Sequence, residues 1–390
     1  MTIANLRFGD FFSGISCPAT ALKKMGIKFN YVFACEIDKI PTKVLKANFD
    51  IENFYDDVKK ITSLPQVDLF VAGFPCQGYS AANTMISTES HQSYGLWRDA
   101  VRGITESKCQ WFLLENVKAL TFSTHSKHLK EITDELDKLE EYSYKIRVYN
   151  SKDHGTPQSR PRVWFIGWRK WMDEPKDLLP IPLKETLLDI VDINLPMKPF
   201  VSKSSHFNKL LSGLIDSVYI NTGQSTGSFS KLDELGETTT VPCILKAVTR
   251  NGPHIIVVSN GQSTGSFSKL TVLNETEISS NIPKSCNSNG PFIYAVSNGH
   301  GGKTDHITER DDSYTTTKST VDSAFEISQT SVKSRLYTST ECERFFGLNI
   351  GDYDYSMVKN TQYMSCLGNG MDVGILMRLI GSLINEYGYA

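Results

Sequence analysis

The chain has 390 residues, 40% of them hydrophobic and 22% charged, the composition of an ordinary soluble globular protein with room for two domains. A formal charge of −2 excludes a chain that is basic throughout, although a local basic stripe is enough for phosphate contacts. Eight scattered cysteines without a C-x-x-C pair speak against a zinc site or a disulfide framework, and no apolar run reaches the length of a membrane span, so an intracellular, soluble protein is expected.

Taken in order, Leu6 to Phe12 reads as a short strand, followed by the turn Ser13-Gly14-Ile15-Ser16 and a helix that starts near Pro18 and stops at Gly26. Such a turn lets a ligand approach the backbone and aims a helix N-terminus at it, although an ordinary strand-to-helix turn carries the same signal. Tyr31 to Cys35 is a second strand, ending in Glu36-Ile37-Asp38. Glu36 is expected to take the hydroxyls of a ribose and Asp38 to cap the helix Lys39 to Asn48. Asp57, after the run Phe54-Tyr55-Asp56, suits an amino group on an adenine ring or plain solvation equally well.

The next strand, Asp68 to Ala72, breaks at Gly73 and Pro75 and leads into Cys76-Gln77-Gly78. A cysteine just past the carboxyl end of a buried strand is placed to act as a thiolate nucleophile; the alternative is one more small buried residue. The polar stretch Ser80 to Ser93 is long enough to serve as a lid over it. Leu96 to Ser107 has helical spacing, and Gln110 to Leu114 is a buried strand running straight into Glu115-Asn116-Val117. Burying an unpaired carboxylate is costly, so Glu115 is expected to have a raised pKa and to be protonated or to share a proton with a substrate ring nitrogen. Ser126 to Glu141 reads as an amphipathic helix, and Tyr144 to Asn150 and Arg162 to Gly167 as strands. Between these strands Arg160 and Arg162, two residues apart, are expected to point to one side and hold a carbonyl or phosphate oxygen; an exposed salt-bridging pair is the alternative.

The composition shifts after Trp171 to Ser, Thr, Asn and Gly with short β-prone runs. Gly223 to Leu232 recurs unchanged from Gly261 to Leu270, and Asn251 to Gly261 recurs in weaker form from Asn289 to Gly299, all at an offset of 38 residues. A fixed period marks copies of one supersecondary unit, whose polar loops suit the reading of base edges; a duplicated hairpin without a ligand is the alternative. Helix returns at Thr338 to Gly347, with a cap signal and a glycine stop, and at Met371 to Ile384 after Gly368-Asn369-Gly370, with Val373, Leu376, Met377, Ile380 and Leu383 facing inward.

The series Phe12-Ser13-Gly14, Glu36, Asp57, Pro75-Cys76, Glu115-Asn116-Val117, Gln158/Arg160/Arg162, Arg335 to Gly347 and Gly368-Asn369 resembles that of the cytosine-5 DNA methyltransferases, from Leu6 to Tyr387 apart from the variable region. The resemblance implies an α/β fold, a doubly wound, mostly parallel, Rossmann-like sheet with a second, smaller, β- and loop-rich target recognition domain. It places the catalytic and cofactor domain at 1–185, the recognition domain at 186–350 and a returning segment at 351–390. It implies Cys76, Glu115, Arg160 and Arg162 as catalytic residues, and Phe12, Gly14, Glu36, Ile37, Asp57, Pro75, Leu96 and Asn369 as contacts of S-adenosylmethionine, with no metal. Duplex DNA is the implied partner, the chain a monomer in a prokaryotic or phage-infected cytoplasm, with a cognate restriction endonuclease as a further partner. Two other readings are a tRNA-methylating branch of the family and a non-catalytic homologue; the long variable region favours duplex DNA over the first, and the presence of Cys76 and Glu115 argues against the second. Three positions depart from the usual pattern: Ser16 stands for a second glycine, Ile37 for a larger side chain and Gly370 for a serine, departures that bear on cofactor affinity.

Overall fold

The computed structural model describes residues 5–75, 95–192, 195 and 337–384, together with the strands between 198 and 334 named below. It divides into two compact units, Met1–Lys184 with Cys342–Ala390, and Glu185–Glu341. The first unit contains β1 (Leu6–Phe11), α1 (Cys17–Lys24), β2 (Phe29–Cys35), α2 (Lys39–Asn48), β3 (Asn53–Tyr55) and β4 (Leu69–Ala72). It continues with α3 (Leu96–Ser107), β5 (Trp111–Val117), α4 (Ser126–Leu136), β6 (Tyr142–Asn150), β7 (Pro161–Arg169), α5 (Asn360–Asn369) and α6 (Val373–Ile384).

The seven strands form one sheet in the order β3-β2-β1-β4-β5-β7-β6. β1 to β5 are parallel, and β7 runs antiparallel to both its neighbours. The reversal has a simple cause, because residues 151–160 are fewer than the dozen or so that a crossover between parallel strands needs. The helix expected over Ser126 to Glu141 ends at Leu136. Its amphipathic pattern runs on, but Leu139 N–H turns back to Leu136 O and Tyr142 is already paired with Arg169 as the first residue of β6.

Paired residues cross the middle of the sheet in a row: Phe33, Gly9, Phe70, Phe112, Gly167 and Tyr144. The glycines in this row make room for rings. A side-chain carbon at Gly9 would lie 2.5 Å from the Phe33 ring, and one at Gly167 would fall inside the Phe112 ring's contact radius. From α3, Gly103 does the same for Phe70. The rings of Phe11 and Phe70 meet edge to face at 5.2 Å.

The C-terminal segment packs back on this sheet. α6 lies against α1 and buries Val373, Ile375, Leu376, Leu379, Ile380 and Leu383; Met377, expected inside, is only half-buried. Three successive residues fasten the segment before α5 to α1 and α2. Lys24 pairs with Asp352 at 2.8 Å, Thr20 Oγ1 donates to Tyr353 Oη at 2.6 Å, and Asn48 Nδ2 donates to Asp354 O while Asp354 N–H donates to Asn48 Oδ1.

In the second unit, the strands Leu232–Glu234, Val218–Asn221, Ile255–Ser259, Ile293–Asn298, Thr330–Ser334 and Lys198–Pro199 form a sheet in that order. The strands Ile255–Ser259 and Ile293–Asn298 are parallel, and each paired residue faces its own equivalent 38 positions on, from Ile255 opposite Ile293 to Ser259 opposite Ser297. The repeat therefore appears as side-by-side pairing of equivalent strands. Val218–Asn221, by contrast, pairs antiparallel to Ile255–Ser259. The repeated segments 223–231 and 261–270 lie outside the described residues. Thr338 and Glu341 form the expected reciprocal cap of Ser339–Arg344, with Thr338 N–H donating to Glu341 Oε2 at 2.8 Å and Glu341 N–H to Thr338 Oγ1 at 3.1 Å.

A close-packed interior resists added volume, so Gly167→Ala is expected to destabilise the fold by about 1–3 kcal/mol through displacement of Phe112. Urea unfolding of the variant beside the parent checks this.

Candidate active site

A second row of paired residues, Tyr55, Cys35, Phe11, Ala72 and Leu114, crosses the five parallel strands near their carboxyl ends. The residues that follow it on each strand are Glu36, Phe12, Gly73 and Glu115, with Asp57 two places beyond Tyr55. These are the positions singled out in the sequence, brought to one edge because parallel strands all end there. The strand order reverses between β1 and β4, where open α/β sheets form a crevice for ligands.

On the β1–β2 side the sequence reading missed Asp10. Only 2% exposed, it accepts hydrogen bonds from Ser13 Oγ at 2.6 Å, Tyr31 Oη at 2.6 Å and Ser16 Oγ at 2.8 Å. Burial pushes its carboxyl up to about 6 against the pull of these hydroxyls. The signal was present: a charged residue inside Phe8-Gly9-Asp10-Phe11-Phe12 calls for the same explanation as Glu115 after its own apolar run. Phe12 and Ser16 both have positive φ, 55° and 54°, and border the Ser13-Gly14-Ile15 turn. Ser16 caps α1 by accepting from Ala19 N–H at 3.4 Å. A left-handed conformation costs a non-glycine residue about 1–2 kcal/mol, which the cap and the bond to Asp10 offset.

Glu36 Oε2 accepts from Gly14 N–H and Oε1 from Asp38 N–H, both at 2.7 Å. Ile37 beside it is 74% exposed, an apolar face standing open, and among the described residues a side-chain carbon at Gly14 would meet nothing within 4 Å. Asp38 caps α2 as expected, through Ile40 N–H. Asp57 caps the turn Val58–Lys60, accepting from Lys59 N–H at 3.0 Å, so a local hydrogen bond accounts for one of its oxygens. Phe12 and Leu96 are partly buried against the aromatic core, Pro75 is half-buried, and Asn369 is exposed at the end of α5.

On the β4–β5 side, Glu115 pairs with Arg162 across the antiparallel β5–β7 ladder, with Nε 2.9 Å from Oε1 and both side chains 12% exposed. Asn116 Nδ2 donates to Phe74 O at 3.0 Å and so ties the end of β5 to the chain leading into Cys76. Gly73, directly before that chain, is covered by the Met371 methyl, 2.7 Å from where its side-chain carbon would be, with Glu115 Oε2 at 3.7 Å. Cys76 itself and the stretch Ser80 to Ser93 lie outside the described residues, as do Arg335 and Tyr387.

Arg160 has partners of its own in the C-terminal turn. It is 2% exposed, and its Nη2 donates to Gly370 O at 2.5 Å and Gly368 O at 3.4 Å, while its guanidinium lies 5.0 Å from the Phe346 ring centre. Arg160 thus contacts the C-terminal turn and Arg162 the acid. Asp372, beyond that turn, is 2% exposed and caps α6 through Ile375 N–H at 2.8 Å. Burial pushes its carboxyl up from 3.8 to about 6, with the Ile375 amide opposing.

A carboxyl raised in this way favours folding most when protonated. Its contribution is full below 3.8 and is lost as pH rises through about 6. Asp372→Asn keeps a capping oxygen without the charge, so it is expected to gain stability relative to the parent as pH rises from about 4 to about 8, measured by urea unfolding. An offset that does not change with pH would count against a carboxyl raised by folding at Asp372.

Residues 6–385 match the family model described as C-5 cytosine-specific DNA methylase. Among curated relatives, the type II methyltransferase M1.ScrFI of Lactococcus lactis subsp. cremoris is 33% identical over 186 residues, 47% of this chain and 47% of that protein. The type II methyltransferase M.NlaIV of Neisseria lactamica is 33% identical over 215 residues, 51% of this chain and 49% of that protein. The chain thus spans about half the length of these relatives. A solved structure of a Spodoptera frugiperda DNMT2 mutant shares the fold at a TM-score of 0.56 and 14% identity, covering 97% of this chain and 99% of that one. The family model spans the ordered series of motifs from β1 to the end of α6, and on that ground the chain belongs to the C-5 cytosine-specific DNA methylase family.

Proposed function

We propose that the chain transfers a methyl group from S-adenosylmethionine to C5 of a cytosine flipped out of duplex DNA, with Cys76 as nucleophile. What carries this is the nearly buried Glu115–Arg162 pair, held at 2.9 Å beside the Asn116–Phe74 tie that leads into Cys76. An acid and a guanidinium so joined grip two neighbouring atoms of a flat ring.

The open space at Gly14, the exposed face of Ile37 and the carboxylate of Glu36 between them fit an adenosine group at the ends of β1 and β2. In this reading Glu36 holds the ribose, Ile37 packs on the adenine, and Phe12, Gly14, Asp57, Pro75, Leu96 and Asn369 complete the contacts.

Cytosine C5 is too electron-poor to attack a methyl sulfonium unaided. The Cys76 thiolate adds to C6, and the C5–C6 double-bond pair moves toward C5 as Glu115 gives a proton to N3. Arg162 donates to O2 and steadies both the ring and Glu115. S-adenosylmethionine, when bound, supplies the electrophilic methyl carbon and departs as a thioether. Water then takes the C5 proton, the C5–C6 double bond re-forms, the Cys76 sulfur leaves and Glu115 recovers its proton from N3. The base must leave the duplex for these contacts. The unit Glu185–Glu341, with its repeated polar segments, is the reader of the DNA sequence, and a single chain is the working form.

Cys76→Ser is expected to lower methyl incorporation into duplex DNA to background while S-adenosylmethionine binding survives, and Glu115→Gln to lower the rate by about 10²–10⁴-fold. Labelled methyl transfer beside calorimetric cofactor binding measures both. Parental turnover by Cys76→Ser would remove the covalent route, and labelling of tRNA in place of DNA would move the chain to a different substrate.

A further inference from the structure

We propose that Arg160 is a positioning residue for the methyl donor, one that does not touch substrate: it sets the turn Gly368-Asn369-Gly370 and through it the cofactor face of the first unit. The inference rests on the cofactor reading above.

The turn is the C-terminal end of α5, where the last carbonyls of a helix lack partners within the helix and carry partial negative charge. Arg160 supplies the missing donors from another part of the chain, to Gly370 O at 2.5 Å and Gly368 O at 3.4 Å. A guanidinium suits this because its donors are fixed in one plane, so two carbonyls are held at a set separation. Between them lies Asn369, exposed and free to face a ligand.

The other side of the turn is set by Cys17. Its sulfur lies 2.8 Å from where a side-chain carbon on Gly370 would be, and Gly370 has an ordinary φ of −70°. Gly370 is thus small because of its neighbours, the Cys17 sulfur first and the Leu367 carbonyl at 3.2 Å after it, and not because of its φ. Cys17 opens α1, directly after Ser16, which is bonded to Asp10 under the Ser13-Gly14 turn. Beyond the turn, Met371 covers Gly73, three residues before Cys76. The turn is therefore held between Arg160 and Cys17, and one guanidinium links the strand bearing Arg162 to the loop that would hold the cofactor.

The test compares Arg160→Gln and Arg160→Lys with the parent in methyl transfer to duplex DNA and in calorimetric binding of S-adenosylhomocysteine. Arg160→Gln is expected to raise the KM for S-adenosylmethionine and the Kd for S-adenosylhomocysteine together, by about tenfold or more, with kcat at saturating cofactor within about threefold. Arg160→Lys, which still reaches one carbonyl, should recover part of the affinity. A large fall in kcat with unchanged cofactor Kd would place the guanidinium on the substrate and overturn the proposal, as would parental values for both constants. Should Arg160→Gln fail to fold, Gly370→Ser strains the same turn from the Cys17 side. It is expected to weaken cofactor binding by a similar factor, restored by Cys17→Gly in the same chain; parental affinity in Gly370→Ser overturns the proposal. Failure of the parent itself to bind either nucleoside defeats the cofactor reading as well, which is a different result from parental affinity in the variants.

Discussion

Five parallel strands that end on one row of paired residues are the constraint from which the rest of the site follows. Parallel strands all present their carboxyl ends to the same edge, so whatever each carries one or two residues further is gathered without any long-range search. Phe11, Cys35, Ala72 and Leu114 are buried and apolar, and they fix the register. The residues just past them are freed from packing to do chemistry. The crevice opens where the order reverses between β1 and β4, which places the Ser13-Gly14 turn beside the chain leading into Cys76.

This edge holds two nearly buried acids, and each is accommodated differently. Asp10 is surrounded by hydroxyls from Ser13, Ser16 and Tyr31, neutral donors that leave desolvation dominant and its carboxyl up at about 6. Glu115 instead faces a full positive charge on Arg162. Removing one partner of such a pair leaves an uncompensated charge in a dry place, which is costly, so the pair behaves as one unit. The contrast matches their places. Asp10 sits beneath a loop and acts as its internal scaffold, joining β1 to the N-terminus of α1 and to β2; Glu115 stands at the end of its strand, where a ring could meet it.

Alternation of strand and helix, the inward run of α6 and the caps at Asp38 and Thr338 were legible in the sequence because each is a local signal. The antiparallel β7 was not, since nothing in Arg162 to Gly167 says which way a strand runs; the short link 151–160 decides it. Nor were the glycines at 9, 103 and 167, whose reason is a phenylalanine on a neighbouring element. Glu115 was found from a local inconsistency, a charge after an apolar run, and Asp10 offered the same inconsistency. The contacts of Arg160 were not legible in its spacing from Arg162. Its partners are more than 200 positions away, at Gly368 and Gly370.

Two departures from the family pattern acquire a physical account once the fold is in hand. Ser16 stands where a glycine is usual and adopts the left-handed conformation a glycine would, but its hydroxyl bonds Asp10 and caps α1, so the side chain recovers what the backbone loses. Gly370 stands where a serine is usual, and the volume is taken by the Cys17 sulfur. Cys17 directly follows Ser16, so both departures meet at the first turn of α1, beside the Ser13-Gly14 turn. Changes at one place that answer each other are what a close-packed interior demands, because a side chain added there must be matched by space removed elsewhere. Ile37 needs no such partner: at 74% exposed it touches little of the protein, and its size is left to be matched by whatever lies against it.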